Sequence, residues 1–142
     1  MILEITQRSD EGITIFNLTG RLTFGDEDLY FRRQLELLVK AGKTRLVLNL
    51  DQVDEIDSTG VSTLLYALAL LRKANGGLAL VNVKASHATM LAEARLAAVF
   101  DVFLTDQDAI NSFFPGRETR RYDLLKFIRS LHPVAMAHAA SR

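Results

Sequence analysis

The chain has 142 residues, of which 49% are hydrophobic and 24% charged, with two prolines. This suits a single globular domain and excludes disorder over most of the length. It has no cysteine, which excludes disulfides, thiolate catalysis and cysteine-based metal sites. The net charge of zero is uneven: residues 1–114 carry 11 basic and 15 acidic side chains, residues 115–142 six and two, so the body is mildly acidic and carries no nucleic-acid footprint.

Ile2 to Thr6 reads as a short strand and Ile13 to Gly20 as a second, alternating at first like a half-buried surface. Ser9-Asp10-Glu11-Gly12 between them is turn chemistry, so the chain opens on a β-hairpin. Gly25-Asp26-Glu27-Asp28 starts a helix, its acids placed at the positive end of the dipole. Phe31, Leu35, Leu38 and Val39 form that helix's apolar stripe, and Gly42 sits where a C-terminal cap belongs. Arg45 to Leu50 is a third strand, continuous enough to be buried on both faces.

A loop from Asp51 to Asp57 is expected next, then a helix from Ser58 to about Asn75 that packs through Val61, Leu64, Leu65, Leu68 and Leu71. Gly76-Gly77 ends it. Leu78 to Val83 is a fourth strand, Ser86 to Ala98 a third helix, Phe100 to Leu104 a short strand and Asp106 to Phe114 a closing helix. The order β-β-α-β-α-β-α-β-α implies right-handed crossovers and a largely parallel α/β sheet with an antiparallel start.

Pro115-Gly116 marks a boundary, giving a domain over 1–114 and a basic extension over 115–142. Arg117 to Leu131 is expected to be helical, with Leu124, Ile128 and Leu131 on one stripe that docks on the body or on a second copy. In the second case a homodimer forms through the extension. Pro133 to Arg142 is expected to fray, and the body is expected to fold without the extension.

No apolar run approaches the ~18 residues of a membrane helix. Glu4, Arg8, Asp10 and Glu11 interrupt any N-terminal leader, so a soluble, cytoplasmic protein without membrane contact is expected. There is no G-x-x-x-x-G-K-[ST] loop and no G-x-G-x-x-G after a strand. Gly60-Val61-Ser62-Thr63 lacks the second glycine of a nucleophile elbow. His87, His132 and His138 have no metal-ligand spacing, and His87, near a helix start, is expected at the surface. Neither catalysis nor a metal or cofactor is expected.

What remains is Asp57-Ser58-Thr59-Gly60, which opens a helix after an acidic stretch. The first turn of a helix has unpaired N–H groups and a positive dipole end, so a phosphate on Ser58 would be tolerated there. With Asp51, Asp54, Glu55 and Asp57 nearby, it would make the surface strongly negative to any partner. Alternatively, Asp57 or Ser58 simply caps the helix, a contribution of about 1 kcal/mol. Local physics leaves both readings open.

Leu48-Asn49-Leu50-Asp51 and Val53, followed by Ile56-Asp57-Ser58-Thr59-Gly60-Val61, resemble the central motif of STAS domains, in which such a strand leads to an Asp-Ser-Ser-Gly or Asp-Ser-Thr-Gly turn. Leu18-Thr19-Gly20-Arg21-Leu22 is similar to the family's second-strand ending, and Gly76-Gly77 stands before the next strand as in the family. Many members carry a small residue or glycine near Arg95. The resemblance covers about residues 1–114 and implies the STAS fold, a mixed central sheet with helices packed against it. It further implies an anti-sigma factor antagonist, whose unphosphorylated form binds an anti-sigma factor with serine-kinase activity and so frees a sigma factor. On that reading Ser58 is the phosphorylation site, and Asp57, Ser58, Thr59 and Gly60 form the partner-binding surface. ATP and magnesium come with the kinase.

STAS domains also serve as scaffolds in stress-signalling assemblies and as accessory subunits of transporters, and fold alone does not choose between these roles. A phosphoacceptor receiver domain using Asp51 and Lys84 would need an acidic pair after the first strand. The chain has Thr6-Gln7-Arg8 there.

Overall fold

The computed structural model describes residues 2–131, with the side chain of Leu131 outside the description. The elements are β1 (Leu3–Asp10), β2 (Ile13–Leu22), α1 (Asp26–Lys40), β3 (Arg45–Ile56), α2 (Ser58–Lys73), β4 (Gly77–Val81), α3 (Ala85–Glu93), β5 (Asp101–Phe103), α4 (Asp106–Asn111) and α5 (Leu124–Leu131). The predicted order holds, and the sheet runs β1-β2-β3-β4-β5 in space. The β1–β2 pair is antiparallel, and β3, β4 and β5 each join in parallel. Glu11 (φ 53°) and Gly12 (φ 81°) make the two-residue hairpin turn between β1 and β2, a left-handed pair whose twist matches that of the strands.

Alternation along the strands divides the core into two layers. Phe16, Leu18, Leu46, Leu48, Leu78 and Leu80 face one way and pack with Phe31, Leu35 and Leu38 of α1, Leu64, Leu68 and Leu71 of α2, and Leu91 of α3. Ile13, Ile15, Val47, Ala79 and Val81 face the other way, under Ala109 and Ile110 of α4. Four helices therefore cover one face of the sheet, and α4 covers part of the other.

Three expectations are corrected. The predicted loop from Asp51 to Asp57 is strand as far as Ile56, because Thr19 to Leu22 of β2 pair with Gln52 to Ile56. The register shifts between Asn17 and Thr19 and again between Gly20 and Arg21, each time putting an extra residue into β3. Such bulges break period-two alternation, and Leu50, Val53 and Ile56 are buried at a spacing of three.

His87, expected at the surface, is 4% exposed. It stands in the first turn of α3, where its ring hydrogen-bonds the backbone of Asp54 on β3. Its Nδ1 has no partner among the described residues. Burial, and secondarily the charge of Lys84, lowers its pKa below the usual imidazole value.

The helix expected from Arg117 starts only at Leu124, where the Asp123 carboxylate accepts a hydrogen bond from Lys126 N at 3.0 Å. Before it the chain is a strap: Arg121 forms a single antiparallel bridge with Phe103, and Tyr122 N donates to Val102 O at 2.6 Å. Leu124 and Ile128, each 2% exposed, lie in the main core, with α5 packed on α3. Of the expected stripe, Leu124 and Ile128 are thus buried on the chain's own body, the first of the two docking alternatives, while the Leu131 side chain lies outside the described residues. Residues 132–142, including the tail expected to fray, lie outside the described residues.

Smaller differences concern ends. β1 runs on to Asp10, β4 stops at Val81, and α3 stops at Glu93. Arg95 holds a left-handed φ of 60° just after α3, a conformation that glycine adopts without strain.

Candidate functional site

β3 delivers the chain to the start of α2 at the end of the sheet where β2 also finishes. Asp57 is the N-cap, with extended backbone (φ −98°, ψ −175°), and its Oδ1 accepts from Gly60 N at 2.8 Å. Its Oδ2 accepts from Phe24 N at 2.9 Å, and its own N–H donates to Leu22 O at 3.2 Å. One carboxylate therefore caps α2 and ties the β2–α1 loop to it, so the capping role falls to Asp57 and not to Ser58.

Ser58, the first residue of α2, is exposed, and Thr59 is half-buried. Both amides lie in the first turn, at the positive end of the helix dipole. Gly60 is buried. A Cβ there would stand 2.1 Å from Leu22 O and 2.9 Å from Ile56 Cγ2, so the glycine admits the backbone of β2 against the helix. Of the four residues singled out in the motif, Asp57 and Gly60 assemble the turn, while Ser58 presents a hydroxyl to solvent.

The surroundings are acidic and partly apolar. Asp51, Asp54 and Glu55 are exposed along the outer half of β3, with Arg21 3.9 Å from Glu55. Asp51 lies within the strand, not at its end, and accepts from Gln52 Nε2 at 2.8 Å. Lys84 is the N-cap position of α3.

Sequence reasoning missed Phe24. It is 81% exposed, and the Asp57 bond holds its backbone against the α2 start. Leu29, on the first part of α1, is 67% exposed. No periodicity marks Phe24, because it sits in a turn.

Also missed was the seam between α1 and α2. Asp28 accepts from Arg32 Nε at 3.1 Å and from the Thr63 hydroxyl. The Arg32 guanidinium lies 4.7 Å from the Tyr66 ring centre, and the Tyr66 hydroxyl donates to Glu36 at 3.0 Å. Burial, then that bond to Glu36, raises the Tyr66 pKa. The four-residue spacing of Asp28, Arg32 and Glu36 was the available signal. The seam fixes α2 beside α1, and with it the position of Ser58.

The STAS domain family model matches residues 4–109. No curated protein matches the chain. Among solved structures the chain is similar to the Thermotoga maritima protein TM1081, with TM-score 0.69 and 17% identity over 77% of this chain and 87% of that one. An anti-sigma factor antagonist from Mycobacterium paratuberculosis gives 0.67 and 17% over 78% and 93%. The phosphorylated form of the Bacillus cell fate determinant SpoIIAA gives 0.61 and 18% over 77% and 98%. At such identities the likeness is one of fold. The family match runs from β1 into α4, through all five strands and the α2 start, and the chain belongs to the STAS domain family.

Proposed function

We propose that this chain is an anti-sigma factor antagonist: a protein-binding switch set by phosphorylation of Ser58. Unphosphorylated, it binds an anti-sigma factor with serine-kinase activity and so releases a sigma factor. The observation that carries the reading is the division of labour at the α2 start. Asp57 caps the helix and ties down the β2–α1 loop, leaving the exposed Ser58 hydroxyl to be modified without removing the cap. A phosphate there meets first-turn amides that favour an anion, so the fold survives the modification. It adds about −1.5 to −2 charges to a surface already carrying Asp54, Glu55 and Asp57, and that alters what can dock.

Support also comes from Phe24 and Leu29, exposed apolar groups at this end of the molecule that a partner would cover. The antagonists among the structural neighbours agree with the reading. In this role the chain supplies a hydroxyl and a docking surface, and the kinase supplies ATP, magnesium and the base.

The test is incubation with the cognate kinase and ATP, followed by intact-mass measurement of wild type, Ser58→Ala and Thr59→Ala. Wild type and Thr59→Ala should gain about 80 Da, the increment of one phosphoryl group, and Ser58→Ala should gain none while still binding the kinase. Labelling of Ser58→Ala but not of Thr59→Ala would move the site to Thr59. Binding of the kinase with no labelling of wild type would leave a scaffold in place of a switch.

A further inference from the structure

The two edges of the sheet differ. At β5 the chain covers its own edge, since Arg121 bridges Phe103 and Tyr122 N bonds Val102 O. At the opposite edge β1 pairs with β2 alone, and no strand or bridge lies on its outer side among the described residues. β1 is eight residues long without proline. An open edge of that length presents a row of unpaired backbone donors and acceptors, a template for another strand.

The register of that second strand can be derived. Asp10 and Ile13 face each other across the two-residue turn, so in this hairpin they exchange backbone bonds and the inward-bonded residues of β1 are the even-numbered ones. Arg21 N→Ile2 O at 2.8 Å continues that series. Leu3, Ile5, Gln7 and Ser9 therefore direct N–H and C=O outward.

A second copy pairing antiparallel about a two-fold axis must match odd residues with odd, which leaves few registers. Centred on Thr6, Ile5 and Gln7 exchange backbone bonds across the axis, and Glu4 falls opposite Arg8 twice. Both are exposed, and with Thr6 they share one face of the sheet. They meet in non-bonded pairs, where side chains approach most closely. Centring on Gln7 instead opposes Glu4 to Asp10, and centring on Arg8 opposes that arginine to its own copy. Only the Thr6 register turns both charges to advantage.

We infer that this chain forms a two-fold dimer through β1, giving a continuous ten-stranded sheet centred on Thr6. Arg8 already lies 2.5 Å from Asp106 and 4.0 Å from Asp10, and its five donors allow the Glu4 of a second copy to be added. The dimer is independent of the Ser58 reading and stands or falls without a kinase.

Sedimentation of the full chain over a concentration series should show a monomer–dimer equilibrium. The chain has no cysteine, so Thr6→Cys introduces the sole thiol, placed against its own copy at a separation a disulfide can span. Mild oxidation should give covalent dimer from Thr6→Cys and none from Glu4→Cys alone, whereas Glu4→Cys mixed with Arg8→Cys should cross-link. Glu4→Arg should weaken dimerisation about tenfold. A chain that stays monomeric throughout would overturn the inference, leaving the edge to a strand from another protein. So would a dimer that Thr6→Cys does not cross-link or that ignores Glu4→Arg.

Discussion

A methyl group at residue 60 would stand 2.1 Å from the carbonyl oxygen of Leu22, a backbone atom that cannot step aside without moving β2. Gly60→Ala is therefore expected to cost about 1–3 kcal/mol or more by overpacking, readable as a lowered denaturation midpoint, whereas Ser58→Ala should leave the midpoint nearly unchanged. Equal midpoints for the two variants would show that the α2 start is not fixed by this contact. His87 sets a second residue-scale expectation. Burial lowers its pKa in the folded state below the unfolded value of about 6.5. The unfolded chain thus binds the proton more readily, and stability falls as pH drops below about 6.5 towards the lowered folded value. The difference in melting temperature between pH 7.5 and pH 5.5 should shrink in His87→Gln, and an unchanged difference would remove His87 as the cause. At this scale the sequence marked the capping turn correctly because caps are local chemistry. His87 was not legible, since its burial depends on β3 extending past β4 to meet α3.

β3 shows what a strand hides when it changes surroundings midway. From Leu46 to Asn49 it lies between two neighbours and is mostly apolar; beyond Asn49, where pairing with β4 ends, only β2 accompanies it. Asp51, Gln52, Asp54 and Glu55 there face solvent, and the two bulges spread the buried residues to every third position. A composition reading takes such a segment for a loop, because neither period two nor continuous burial survives. Hydrogen exchange distinguishes the two forms: amides of residues 52–56 bonded to β2 should exchange slowly, as in a strand. Fast exchange throughout 51–57, with slow exchange confined to 45–50, would return the segment to a loop. The helix stripes of α1 and α2 were legible throughout, since each buries one face against one layer.

Over the whole molecule, the charge asymmetry read from the sequence becomes contact between body and extension. Arg117 pairs with Glu11 at 2.9 Å and Arg121 with Asp101, all four side chains substantially exposed. Hydrogen bonds from Arg117 and Gln107 lower the Glu11 pKa. Two kinds of force could hold the extension down, and their sizes differ. Exposed ion pairs contribute little, because water and salt screen them. Truncating a buried leucine or isoleucine to alanine costs about 2–5 kcal/mol, and both Leu124 and Ile128 are buried against the main core. The apolar contacts should dominate. Raising NaCl to about 1 M, where charges are screened within roughly 3 Å, should barely move the thermal midpoint. Leu124→Ala or Ile128→Ala should lower it by several degrees, and removal of 117–142 should lower it further by uncovering Leu91, Ala92 and Phe100 in the same core. A large drop on truncation would overturn the expectation that the body folds without its extension at the cost of at most a modest loss of stability. A truncated chain that melts within a degree or two of the full one would uphold that expectation, and a midpoint that collapses in salt would show that the ion pairs hold the extension.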